Sequence, residues 1–159
     1  EVISVLDDAT VSKEGRITFF RQLLARDLDI PLIGRVVLGN HWRSATEQQR
    51  ADYMDAFAVF VVQTYSQRLG GVKVSAIRIL NTNTVGESDF VVRSRVDRSG
   101  ANALRANWRL TNRSEDYRIL DLSVEGVSMA LMLRQEFASV IRARGGLDAL
   151  IAALKERAA

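Results

Sequence analysis

Val124-Glu125-Gly126-Val127-Ser128 marks the point where the chain turns from strands to helices. Glycine permits a sharp reversal because it has no Cβ. Ser128, directly before the apolar run Met129 to Leu133, is a preferred helix N-cap. Upstream lie four candidate strands, at about 73–80, 88–98, 103–112 and 116–125. In the second, Phe90, Val92, Ser94 and Val96 alternate with Val91, Arg93, Arg95 and Asp97. In the third, Leu104, Ala106, Trp108 and Leu110 alternate with Arg105, Asn107 and Arg109. A period of two gives each strand one buried and one wet face. Ser99-Gly100 and Asn112-Arg113-Ser114 supply hairpin-like connections, which favour antiparallel pairing. The first strand is ambiguous: Ile77 and Ile79 share one face, Val74, Ala76 and Leu80 the other. Downstream, the spacing predicts a helix from Ser128 to about Arg144, a break at Gly145-Gly146 and a last helix from Leu147 to Arg157.

Helices also precede the strands. Ile17, Phe20 and Leu24 form a stripe within Glu14 to Arg26. Asp29-Ile30-Pro31 reads as a capped start with proline in the first turn, for a short helix that stops at Gly39. Thr46 and Gln49 form a capping box before a long helix ending at Gly70-Gly71. Its expected buried face carries Met54, Phe57, Ala58, Val61, Tyr65 and Leu69. The order is α+β: helices packed on one face of a curved, four-stranded antiparallel sheet, in one domain over residues 1–159.

Composition excludes more than it assigns. A chain of 159 residues can bury a core without staples, and with no cysteine it has no disulfides and no thiolate metal sites. No run approaches the roughly 20 apolar residues that span a bilayer. The residues from Glu1 carry no basic, apolar, small-residue leader, so an exported form is expected to be the mature or trimmed one. The net charge of +3 comes from arginines scattered singly among 19 acids, without the dense basic and aromatic clustering of nucleic-acid binding.

Chemistry is sparse. His41, the single histidine, has no partner at diagnostic spacing and reads as a surface or capping residue. No G-x-S-x-G, H-E-x-x-H, P-loop or G-x-G-x-x-G occurs, and no cofactor is expected. Asp121 and Glu125, four residues apart on one strand face, are the acid–base candidates of a cone-fold enzyme. The competing reading pairs them with Arg105 or Arg109. Ser128 is an N-cap rather than a nucleophile.

Val124-Glu125-Gly126-Val127-Ser128 with Arg134 and Phe137, read together with Leu38-Gly39-Asn40-His41-Trp42-Arg43 and Thr46 to Arg50, resembles the MlaC/toluene-tolerance family of periplasmic phospholipid carriers. The matched segments run from about Phe20 to Leu154. The resemblance implies a cone related to the nuclear-transport-factor and cystatin-like folds, with an apolar cavity. It also implies a monomeric, non-enzymatic shuttle in the periplasm, holding phospholipid acyl chains. Its partners would be an inner-membrane ABC transporter complex and an outer-membrane lipoprotein–porin complex. Hopanoid-associated members make a polycyclic lipid the alternative cargo. Gly126 then serves the turn, Trp42 anchors packing and Arg43 forms an ion pair. Two positions depart from the pattern: Tyr117 replaces the usual Trp, and Leu133 replaces the Tyr before the arginine.

The residues this assigns to the acyl chains are apolar. The strands offer Ile77, Ile79, Phe90, Val92, Val96, Leu104, Ala106, Trp108, Leu110, Leu120, Leu122 and Val124. The helices offer Phe57, Val61, Tyr65, Met129 and Leu133. Periodicity does not separate lining from core, because an inward apolar face serves either. On the opposite strand faces Arg93, Arg95, Arg105 and Arg109 are expected to form a basic docking patch.

Overall fold

Local signals set most element ends in the computed structural model, which describes residues 10–158. Ser12 accepts a hydrogen bond from the Gly15 N–H and opens α1 (Lys13–Asp27), which buries Phe20 and Leu24. Asp29 caps α2 (Ile30–Leu38) by accepting from the Leu32 N–H. A five-residue α3 (Asn40–Ser44), read from sequence as a junction, follows directly. The Thr46–Gln49 capping box is fully formed at the start of α4 (Glu47–Gly70).

The buried face of α4 is wider than the expected stripe. Tyr53, Ala56, Phe57, Phe60, Val61 and Val62 are buried, whereas Met54, Ala58, Tyr65 and Leu69 are only half-buried. The reason is tertiary: α4 is central and packs against α1, α2 and α6 at once.

The strands form an antiparallel meander in the order β1-β2-β3-β4-β5. They are β1 (Val74–Val85), β2 (Asp89–Arg98), β3 (Ala101–Thr111), β4 (Arg118–Val124) and a two-residue β5 (Val127–Ser128). Two differences from the sequence reading have physical causes. β1 runs five residues beyond Leu80, but Asn81 to Val85 are exposed on both faces, so no apolar alternation announces them. The fifth strand exists because Glu125 and Gly126, with φ of 50° and 80°, form a two-residue loop with the sign pattern of a type I′ turn. Val124 pairs with Val127 across it. The loop is tied to β3: Glu125 donates its N–H to the Arg105 carbonyl at 2.9 Å and accepts the Arg105 N–H on Oε1 at 2.6 Å. The helices α5 (Met129–Arg144) and α6 (Leu147–Ala158) complete the chain, separated by Gly145 in the left-handed region.

Register places Val92 opposite Trp108, Ser94 opposite Ala106, and Trp108 opposite Leu122, so the inward face is the one expected. Bulges interrupt β1 twice, β2–β3 at Val96/Arg98 and β3–β4 at Arg109/Leu110. Each bulge bends a strand and raises its twist.

Among the described residues the main core contains no strand member. Its buried members come from α1, α2, α4, α5 and α6, and so do the flanking half-buried side chains, joined only by Leu28 and Trp42 from the α1–α2 and α3 segments. A small second cluster joins Phe20 to Val74, with Ile77 and Val96 against it. The helical layer therefore closes on itself, and most of the sheet's inward side chains face something other than that core.

Candidate functional site

Between helices and sheet lies an apolar cavity of about 210 Å³. Of the side chains assigned from sequence, Val61 and Tyr65 (α4), Trp108 (β3), Leu120, Leu122 and Val124 (β4), and Met129 and Leu133 (α5) line it together. β4 supplies most of one wall because the helical layer meets the sheet mainly there. Trp108 keeps its polar edge satisfied: its indole N–H donates to Ser94 Oγ at 3.1 Å, and that hydroxyl donates to the Ala106 carbonyl at 2.7 Å. Burial pushes the Tyr65 phenol up from its ordinary value; Arg68 beside it opposes the shift, and Glu136 and Asp121 add to it. Arg68 also stacks over the Tyr65 ring at 5.4 Å.

The remaining assigned positions lie elsewhere. Phe57 is fully buried among Tyr53 and Phe137, because that turn of α4 faces Gly34 of α2 and Phe137 of α5 rather than the sheet. Ile77 and Val96 pack on the Phe20–Val74 cluster. Ile79 is 70% exposed, since it precedes a bulge on an edge strand and lies beyond the Val74–Ile77 stretch that packs against Phe20. Phe90 meets Tyr117 edge-to-face at 6.0 Å. Ala106 is buried against the Ser94 hydroxyl, and Val92, Leu104 and Leu110 are half-buried away from the cavity wall. Sequence reasoning missed Leu24, Leu28, Ile33, Leu69, Val72 and Ile119 as lining residues. Leu24 and Leu69 were legible as buried positions, but nothing local says which void a buried side chain borders.

The enzyme candidates are structurally occupied. Asp121 lies opposite Arg109 in register, yet its Oδ1 accepts the Leu122 and Ala130 N–H groups at 2.8 and 3.1 Å, and its Oδ2 accepts the Ser128 hydroxyl. Ser128 in turn caps α5 by accepting from the Leu131 N–H at 3.2 Å. Glu125 is committed to the backbone of Arg105 and not to its guanidinium. Both carboxylates thus fix the β4–β5–α5 junction.

A second recess of about 480 Å³ adjoins the cavity and shares Ile33, Leu120, Asp121 and Ala130 with it. Its other walls carry Arg109, Arg113, Arg134 and Asp89. Asp89 is 5% exposed and sits 3.0 Å from Arg109 and 3.8 Å from Arg113. Burial alone raises its carboxyl pKa, but hydrogen bonds from Arg109 and Thr111 and the two arginine charges outweigh that and hold it below the usual range. A depressed folded-state pKa means stability present above the unfolded value of 3.8 and lost as pH falls through the folded one. Urea midpoints for the parent and Asp89→Asn are expected to differ above that value and to converge below it.

The two halves of the sequence signature touch at Arg134, on the wall of this recess. Gly39, at φ 61°, lies where an added Cβ would come 3.0 Å from the Arg134 guanidinium. Gly39→Ala is expected to cost about 1–3 kcal/mol, since it adds a left-handed backbone penalty to that contact. Thermal unfolding measures it, and an unchanged midpoint would refute the steric account. Trp42 packs edge-on against Tyr53 at 6.3 Å, with Arg35 and Arg50 over its ring. Arg43 forms no ion pair among the described residues; its carbonyl instead accepts from Arg50. His41 sits in α3.

On the outer sheet face Arg93, Arg95 and Arg105 are exposed, whereas Arg109, assigned with them from sequence, lines the recess. Arg78, unassigned from sequence, joins them: it pairs with Arg95, which pairs with Arg105. Asp97 bridges to Arg95 at 2.9 Å and to Arg78 at 3.7 Å. Arg109 turns to Asp89. Among the described residues no cluster of metal-binding side chains occurs, and no helix is long and apolar enough to cross a membrane.

The family model described as MlaC protein matches residues 1–156. The Haemophilus influenzae intermembrane phospholipid transport system binding protein MlaC is 24% identical over 148 residues, covering 88% of this chain and 69% of that protein. The fold matches that of a phospholipid-binding protein from Ralstonia solanacearum solved in complex with a phospholipid. The TM-score is 0.79 at 23% identity, covering 99% of this chain and 90% of that one.

Proposed function

The chain belongs to the MlaC family, and from that premise we propose that it is a periplasmic lipid carrier that holds phospholipid acyl chains in the helix–sheet cavity. The observation that carries this reading is the exclusion of the strand side chains from the main core. A sheet that only stabilised the fold would interdigitate with the helices; here its apolar face borders a void. A two-chain lipid of about 30 methylenes gains roughly 0.8 kcal/mol per methylene on leaving water. That sum of over ~20 kcal/mol, the cost of leaving a whole lipid in water, exceeds practical affinities and what a cavity of about 210 Å³ can recover. The cavity therefore exchanges lipid with bilayers or partner proteins, not with water.

Binding alone gives no direction, so the reading includes docking partners: an inner-membrane ABC transporter complex and an outer-membrane lipoprotein–porin complex. The outer-face arginines support it. Like charges opposite one another on neighbouring strands are destabilising, and Arg78, Arg95 and Arg105 keep that arrangement with Asp97 as counter-ion to Arg78 and Arg95. Reversing charge at Arg78, Arg93, Arg95 and Arg105, and leaving Arg109 with Asp89 in the recess, is expected to slow lipid delivery to acceptor complexes and to weaken its salt dependence. Delivery insensitive to both the substitutions and ionic strength refutes the patch. The reading as a whole is tested by extracting and identifying lipid from freshly purified protein by native mass spectrometry. Phospholipid in stoichiometric amount supports it, a hopanoid changes the cargo, and lipid-free protein that also fails to take up lipid from vesicles refutes it.

A further inference from the structure

We propose that Tyr65, Arg68 and Leu133 form a closed end of the helix–sheet cavity and set the length of acyl chain that it accepts. The proposal rests on the acyl-chain reading of the cavity and adds a length limit to it.

A separate void of about 300 Å³ lies between α4, α5 and α6. Among the described residues, only Tyr65, Arg68 and Leu133 border both this void and the cavity, so a single layer of side chains divides them. The two spaces differ in chemistry. Apart from Arg68 and Asp121, the cavity is lined by apolar and aromatic side chains. The void instead carries Arg68, Glu136 and Arg157, and Glu136 pairs with Arg157 to join α5 to α6. A methylene chain that entered it would strip water from those charges, at a cost in free energy. The chain ends are therefore expected to stop at the partition.

The partition is built for that role. A tyrosine suits a boundary between apolar and polar space, because its ring serves one side and its hydroxyl the other. Arg68 lies over the Tyr65 ring at 5.4 Å. Leu133 is 6% exposed and belongs to the main core, so it does not swing aside without disturbing that packing.

The test measures lipid occupancy by native mass spectrometry after delipidated protein has equilibrated with vesicles of mixed phosphatidylethanolamines. The lipids differ only in acyl length, two methylenes at a step. Relative to vesicle composition, the parent is expected to show level occupancy up to a limiting length. Beyond it, each further methylene is expected to lower occupancy about fourfold, the roughly 0.8 kcal/mol that a bilayer supplies and a closed end does not. Leu133→Ala and Tyr65→Leu both thin the partition. Each is expected to raise occupancy of the first length past the limit on the order of tenfold. Tyr65 is only half-buried, so its variant decides the matter if Leu133→Ala does not fold. Arg157→Gln breaks the ion pair beside the void and is expected to leave the limit in place. Occupancy independent of length in the parent, or an unmoved limit in Tyr65→Leu, overturns the proposal. A limit that shifts in Arg157→Gln places the chain ends in the void and overturns it too. If no lipid of any length loads, the acyl-chain cavity itself fails, a result distinct from a flat or unmoved length profile.

Discussion

Replacing Val124 with tryptophan is expected to empty the cavity of lipid while the fold survives. Val124 pairs with Ala106 on β3 and Val127 on β5, is half-buried, and borders the void beside Trp108 and Leu122. An indole added there enters space of about 210 Å³ instead of displacing packed side chains. If it excludes about three methylenes, at roughly 0.8 kcal/mol each, occupancy falls on the order of fifty-fold. Ala106→Trp is the contrasting variant. Ala106 is 4% exposed, held against Ser94, and overpacking there costs about 1–3 kcal/mol or more. Native mass spectrometry and a thermal melt on both proteins separate lining from packing. A folded Val124→Trp variant with undiminished lipid would remove β4 from the proposed site.

Phe137→Ala is expected to have the largest effect on stability, a loss of about 3–5 kcal/mol. Phe137 is 1% exposed where α5 meets α4, with ring centroids of Phe60, Phe57 and Tyr53 at 6.0, 6.2 and 6.5 Å. Truncation removes three aromatic contacts and leaves a hole in a layer that closes on itself, so no strand side chain can relax into it. Urea denaturation should show the midpoint falling at an unchanged slope. Ile79→Ala, on an apolar residue that is 70% exposed, is the matched control and is expected to change stability little. A small loss at Phe137 would mean that the helical layer does not carry the fold.

Local rules sufficed wherever one residue's chemistry decided the outcome. The Thr46–Gln49 box, the Asp29 and Ser128 caps, and the break at Gly145 satisfy orphan N–H groups or backbone geometry within four residues. The alternation of Phe90 to Asp97 and of Leu104 to Leu110 likewise specified two strands and their inward faces, because pleating has a period of two. What that alternation could not specify was the neighbour across the face. Phe57 and Val61 share one helical stripe, yet Phe57 is sealed against Phe137 while Val61 borders the cavity. The difference lies in where α5 and β4 cross α4, a long-range property. The same holds for Asp121 and Glu125, equivalent on a strand pattern but bound to different partners by the Glu125-Gly126 turn. It holds also for the recess, where Asp89, Arg109 and Arg113 converge with Arg134, which in turn lies against Gly39. Sequence determined which faces are apolar; the packing of one layer against another decided which of those faces were left open.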